Sequence, residues 1–293
     1  MNNLFKKLLV FVCSTSLVSA VAIIDYQFND VSGTNINTAS QAGSGSGGWD
    51  FGGPSTQTFT SSGIGALNYG YTQNYKFQGV DAGNTGGQNV YRNYTLDTAL
   101  STGTYVLEVD FSNWDLRQEW DPNNVSAQGK GVQFSLTDGA NYANIRFETQ
   151  GTNGFRAVGS GVNATFGQVN GSDFDNALSR FSSFGGLLKI EANLDTGLWF
   201  AFANDKQGGE YKTVTSGSGL LSITGLRMNA MVPTVGSWGG AGSGQLTDPT
   251  KAGTAGDFLR IDSLTLTSVP EPSSFALLVG IFAFGSFMLC RRR

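Results

Sequence analysis

Apolar and polar residues alternate with a period of two along most of the chain. Tyr105, Leu107, Val109 and Phe111 fall on one side, with Glu108 and Asp110 on the other. The same spacing sets Leu188, Ile190, Ala192 and Leu194 against Lys189, Glu191 and Asn193. Successive side chains of a strand point to opposite faces, so the pattern predicts strands with one buried and one wetted face. Asp195-Thr196-Gly197 then turns the chain into a strand over 198–203, a hairpin in which Gly supplies the left-handed position. Further strands are predicted at 23–28, 66–71, 90–96, 132–137, 143–149, 154–158, 211–215, 226–231 and 258–267. The last changes phase: Leu259 and Ile261 share one parity, Leu264 and Leu266 the other. A bulge near Asp262-Ser263 absorbs that shift.

About a dozen such strands predict an all-β fold, an antiparallel two-sheet jelly-roll sandwich. No repeat of 20–30 residues supports a parallel β-helix instead. One short helix is expected: Ser172 and Asp175 form a capping box, and Phe174, Ala177, Leu178 and Phe181 share a helical face before Gly185-Gly186. The 41 Gly among 293 residues, with only 14% charged residues, agree with a turn-rich extracellular domain. The Gly-rich stretches 43–53 and 236–244 read as long surface loops. Gly43-x-Gly45-x-x-Gly48 matches a dinucleotide fingerprint in letters only, since it opens no helix. The absence of His excludes a Ser-His-Asp triad, a His general base and His-ligated metals.

Residues 1–22 read as a secretory signal peptide, with Lys6 and Lys7 leading into an apolar run. Ala20-Val21-Ala22 offers the small residues a signal peptidase needs, with a mature start at Ile23 as first choice and a cut after Ala20 as second. At the other end the apolar run 275–290 is expected to form a C-terminal transmembrane helix. Sixteen residues rise about 24 Å, so the following Arg291, Arg292 and Arg293 must reach the interface. Both Cys lie in these terminal segments, so the 23–268 ectodomain carries no disulfide. That ectodomain keeps 13 basic against 21 acidic residues, which argues against nucleic acid as a partner.

Pro270-Glu271-Pro272, the short apolar run and the terminal Arg cluster resemble the PEP-CTERM sorting signal of Gram-negative bacteria. The resemblance covers residues 269–293. It implies recognition by an exosortase, a transient stay in the inner membrane, and delivery to the outer surface or extracellular matrix, alongside exopolysaccharide. Asn193-Leu194-Asp195-Thr196-Gly197-Leu198-Trp199, with a final strand running straight into the Pro-Glu-Pro motif, resembles the concanavalin A-like sandwiches that precede such signals.

Glu108-Val109-Asp110-Phe111 looks like the start of the Glu-x-Asp-x-Glu motif of laminarinase-type glucanases. The resemblance implies a nucleophile at Glu108 and a helper at Asp110. The motif's second Glu has no match, because Ser112 and Asn113 stand there, and neither can protonate a leaving group. The expectation is therefore no enzyme and no catalytic residue, with a glycoside hydrolase or lyase on the same fold as the alternative. Solvated strand carboxylates are the plainest reading of Glu108 and Asp110, as of Lys189, Glu191 and Asn193.

Residues 114–124 mix rings with carboxylates and amides in a segment broken by Pro122. Three readings stay open. Trp114, Arg117, Trp120 and Asn123 suit a glycan site, since rings stack on sugar faces while charges and amides take hydroxyls. Asp115, Glu119 and Asp121 suit a structural Ca²⁺, no other cofactor being expected. Alternatively the tryptophans tuck beneath the loop and the charges face water. Trp199 is expected to be buried, and Trp49 and Trp238 are expected in core packing, with an aromatic platform as the alternative if their Gly-rich loops meet. The function expected from these features is glycan binding or adhesion at the cell surface, with a purely structural matrix component as a further alternative.

The sorting resemblance makes a direct prediction. Mass spectrometry of the surface-located protein from a host with the sorting enzyme should find the 275–293 segment removed. An intact tail would make it a plain membrane anchor.

Overall fold

The computed structural model describes residues 20–31, 34, 36, 39–52, 57–61, 67–71, 88–112, 128–150, 155–170, 173, 185–206, 210–232 and 259–270. Among them the first strands are β1 (Val21–Tyr26), β2 (Gly47–Gly52), β3 (Gln57–Ser61), β4 (Leu67–Tyr71) and β5 (Gln88–Leu100). There follow β6 (Thr104–Ser112), β7 (Gln128–Thr137), β8 (Tyr142–Gln150), β9 (Phe155–Gly161) and β10 (Gly167–Asn170). The last are β11 (Gly186–Asn193), β12 (Leu198–Asn204), β13 (Lys212–Ser218), β14 (Ile223–Val232) and β15 (Leu259–Val269). They form two antiparallel sheets. The first runs β13-β12-β11-β6-β15-β4-β3 with β1 also beside β15, and the second β10-β9-β8-β7-β14-β5-β2. This is the expected two-sheet sandwich.

The period-two pattern decides which face is buried. Leu107, Val109 and Phe111 of β6, Leu188, Ile190 and Ala192 of β11, and Trp199, Ala201 and Ala203 of β12 all face inward. Opposite them lie Phe134 and Leu136 of β7, Ala143, Ile145 and Phe147 of β8, and Leu226 and Met228 of β14. The rings of Phe111 and Phe147 meet across the sheets at 4.8 Å between centroids. Tyr26, Trp49 and Tyr94 form a second inter-sheet aromatic cluster, with Trp49 and Tyr94 edge to face at 5.4 Å. Burial there pushes the Tyr26 phenol up to about 12.

Trp199 is fully buried, as its parity opposite Phe200 and Phe202 requires. Its Nε1 donates to the Val162 carbonyl at 3.2 Å. The ring passes between Gly161 and Gly217, so close that a Cβ on Gly217 would stand 2.6 Å from it. Trp49 is likewise packed in the core, while Trp238 lies outside the described residues. The 195–197 hairpin turn forms as expected, with Gly197 at φ 71° and the Asn193 side chain accepting from the backbone N–H and hydroxyl of Thr196.

The phase change in β15 is a bulge between Ile261 and Ser263, which lets Ile261, Leu264 and Leu266 all face the core. One expectation is corrected. The stretch 43–53 is not a loop throughout, because Gly47–Gly52 forms β2 on the edge of the second sheet, with Trp49 opposite Tyr94. Glycine is needed there for contact rather than for a turn. A Cβ on Gly47 would overlap the Thr95 carbonyl oxygen, and one on Gly45 would crowd Ile23. The short strands β3 and β10 also went unanticipated. Apart from Asp173, the expected helix before Gly185 lies outside the described residues, as do the 236–244 stretch, the signal segment 1–19 and the 275–290 span. Among the described residues no helix is long and apolar enough to cross a membrane.

The wedge of Trp199 sets a stability test. Gly217→Ala forces the ring aside and should destabilise by about 1–3 kcal/mol in urea titration. Gly48→Ala, whose Cβ would meet nothing within 4 Å, should leave the midpoint almost unmoved.

Candidate functional site

The outer face of the first sheet carries the residues that the core rejects. Because Leu107, Val109 and Phe111 point inward, Glu108 and Asp110 point out. Registry then lays a row across five strands: Thr213 of β13, Phe202 of β12, Lys189 of β11, Glu108 of β6 and Thr265 of β15. A second row runs Ser216, Phe200, Glu191, Val106 and Thr267.

The charges on this face are held rather than free. Tyr211, immediately before β13, donates its hydroxyl to Glu108 Oε2 at 2.6 Å. Burial, that hydrogen bond and the charges of Glu108 and Asp110 all push its phenol far above its ordinary range, so it stays a donor. Lys189 Nζ sits 4.5 Å from the centroid of Phe202 and 4.4 Å from that of Tyr211, and 4.0 Å from Glu191 Oε2. The ammonium thus lies against two ring faces, where their quadrupoles attract it.

Lys206 occupies the centre of a second group. Its ammonium pairs with Asp110 and with Asp262 at 3.8 Å, and donates to the Phe111 carbonyl at 3.0 Å. Two carboxylates and a carbonyl form an oxygen cradle of the kind a hard cation takes, here filled by a side chain. The β15 bulge brings Asp262 to the outer face to complete it. Lys206 itself adopts φ 60°, with its N–H bonded to Asn204 Oδ1 at 2.6 Å. Left-handed backbone is costly for a non-glycine residue, and here it aims the ammonium. Burial pushes the Asp110 carboxyl above the usual carboxylate range, against the pull of Lys206, with Asp262 and Glu108 adding to the rise.

Beside these charges runs an apolar strip. Leu198, Phe200 and Phe202 share the outward parity of β12, and Leu198 and Phe200 are 46% and 39% exposed. Phe200 stacks on Phe202 at 6.2 Å between centroids, and Phe202 meets Tyr211 edge-on at 6.4 Å. The result is a ring-lined track bordered by fixed charges.

Several expectations are revised here. Glu108, Asp110 and Lys189 are half-buried members of a network, not simply solvated side chains, and Asn193 staples the hairpin turn. Pro270 directly follows β15. The expected glycan residues Trp114, Arg117, Trp120 and Asn123 and the expected calcium set Asp115, Glu119 and Asp121 lie outside the described residues, as do Glu271, Pro272 and Arg291–Arg293. Among the described residues no group of three or more His, Cys, Asp or Glu is placed to hold a metal. No local pattern marks Lys206 or Tyr211 for this site, and the phase change marks Asp262 as a bulge residue without its role toward Lys206. Phe200 and Phe202 did carry a signal, since two rings on the wetted face of a half-buried strand are anomalous.

A separate cleft is lined by Asp25, Gln27, Asn29, Asp30, Ser40 and Gln41. Its polar groups pair with one another: Gln27 with Asp25, the Ser40 N–H with Asp30, and the Asp25 N–H with Gln41.

No protein-family model and no curated protein matches the chain. It is similar in strand arrangement to a legume lectin-like domain from Entamoeba histolytica, at 11% identity over 76% of this chain and 90% of that one, TM-score 0.42. It is similar also to LamAcat from Zobellia galactanivorans, at 12% identity over 84% and 97% of the two chains, TM-score 0.43. A pseudo β-1,3-glucanase of Mycobacterium tuberculosis matches at 12% identity over 85% and 99%, TM-score 0.43. Each is a distant likeness, and none transfers a residue or an activity to this chain.

The Lys206 cradle predicts a pH-dependent defect. A carboxyl whose folded pKa is raised contributes stability below its unfolded pKa and loses it as pH rises through the folded value. Lys206→Met removes the groups that hold Asp110 down, so its pKa rises further. The variant should lose roughly 1–2 kcal/mol at neutral pH, moderated because water reaches all three groups. The loss should shrink in urea titrations near pH 3, where the raised carboxyl of Asp110 is protonated. A defect equal at both pH values would mean that the lysine stem, not its charge, does the holding.

Proposed function

We propose that this is an exported, non-enzymatic surface protein that binds glycan across the outer face of its first sheet. The observation that carries the reading is the outward Leu198–Phe200–Phe202 strip of an interior strand, with Leu198 and Phe200 exposed and Tyr211, Lys189 and Glu108 flanking it. Sugar rings present an apolar face and a rim of hydroxyls. Stacked rings take the first and fixed charges the second.

Absence of catalysis is part of the proposal. A retaining glycosidase needs two carboxyls about 5–5.5 Å apart, one free to give and take a proton. Glu108 is engaged by Tyr211 and Asp110 by Lys206, and Ser112 and Asn113 stand where the motif's second Glu belongs. Export rests on the basic and apolar leader, and sorting by an exosortase on the Pro270–Pro272 and arginine pattern. Trp114 and Trp120 extend the binding proposal into the segment that follows β6 in sequence.

Retention on immobilised exopolysaccharide from the producing cells tests this. Phe200→Ala should weaken retention about thirtyfold, the equivalent of roughly 2 kcal/mol, with unchanged circular dichroism. Unchanged retention would remove the face from the proposal, and loss confined to Trp114→Ala and Trp120→Ala would move the site to the 113–127 segment. Reducing ends released by the parent protein but not by Glu108→Gln would overturn the non-enzymatic part.

A further inference from the structure

The leader offers two bonds for removal, and the small-residue pattern puts the Ala22–Ile23 bond first and the Ala20–Val21 bond second. A cut after Ala20 has Val18 and Ala20 at the third and first positions before the bond, and a cut after Ala22 has Ala20 and Ala22. Either pair suits a signal peptidase.

The sheet reverses that order. β1 starts at Val21, which pairs with Ser268, and Ala22 pairs with Thr267. The Val21 N–H donates to Ser268 Oγ at 3.2 Å, and that hydroxyl lies 3.3 Å from the Val21 carbonyl oxygen. The Ala22 carbonyl accepts from the Ser44 N–H at 2.8 Å and from its hydroxyl at 3.0 Å. A chain that began at Ile23 would strip Ser44 and Ser268 of these partners. It would also bare the end of β15 on its β1 side, directly before Pro270. Unpaired strand edges are liabilities that folded proteins avoid.

We infer that the leader is removed at the Ala20–Val21 bond, so that Val21 is the first residue of the mature protein. Hydrolysis by a signal peptidase adds one water, leaving a carboxylate on Ala20 and an ammonium on Val21. That ammonium keeps an N–H for Ser268 Oγ, and with Val21 46% exposed its charge remains in water. The inference rests on the export reading and sharpens it. It also places the new N-terminus beside the strand that leads into the C-terminal motif.

The full chain, exported with its own leader from a Gram-negative host, provides the test. Edman sequencing and intact mass should give Val21 as the dominant start, and a dominant start at Ile23 would overturn the inference. A chain that keeps Met1 would overturn the export reading and this one with it, an outcome distinct from a cut at the other bond. Val18→Asp should reduce processing at the Ala20–Val21 bond tenfold or more, whereas Ala22→Leu should leave it unchanged. The reverse pattern would assign the cut to Ala22–Ile23. Any Val18→Asp product that starts at Ile23 should melt a few degrees below the Val21 form. Equal melting would show that residues 21–22 do not serve the sheet, which would also overturn the inference.

Discussion

The zipping of β15 between β6 on one side and β4 and β1 on the other holds the first sheet together. β15 is the last strand among the described residues, yet it lies inside the sheet, with Val269 against Thr104 and Ser268 against Val21. No disulfide relieves it of this task, since both Cys lie in the terminal segments. Closing such long loops costs entropy before the contacts form, so β1 and this side of β6 pair only once β15 has arrived. The bulge in β15 serves both faces at once. It rotates Leu264 and Leu266 into the core beside Ile261, and it turns Asp262 out toward Lys206.

The outer face inherits its rigidity from that arrangement. Lys206 binds Asp110 on β6, Asp262 on β15 and a carbonyl of β6, which ties two strands to the turn after β12. Unlike a bound metal, this cation cannot dissociate, and its cradle needs no supply from solution. Glu108 is held in the same way by a phenol that burial keeps protonated. Groups fixed before a ligand arrives lose little freedom on binding, which favours recognition. Proton transfer asks for the opposite, a carboxyl free to change its charge and its partner during the reaction.

The sequence was most informative where parity carried the signal. The inward residues of β6, β11 and β12 follow from alternation alone, and so does the bulge, because Ile261 and Leu264 cannot share a face without one. β2 was hidden because glycine reads as loop, whereas here it lets β2 pass close to Thr95. Lys206 and Tyr211 were illegible for a different reason. Each lies outside a regular strand and meets partners about a hundred residues earlier, so no window of sequence contains both ends of the contact. Lys189 was legible as outward-facing, but its placement over two rings depends on the β11–β12 register and on Tyr211.

The position of the apolar strip within the sheet bears on what kind of surface it is. An exposed apolar strand at a sheet edge invites pairing with another chain through its backbone. β12 is not at an edge: β11 and β13 satisfy it on both sides, and edge strand β13 turns exposed Lys212, Thr213 and Ser216 to water. Any partner for Phe200 must therefore meet its ring from above the sheet, through side chains alone. Glu191 stands directly across from Phe200, and Lys189 and Glu108 follow in the next row, so a purely apolar partner would have to strip water from charges. A ligand that brings both an apolar face and hydroxyls meets neither penalty.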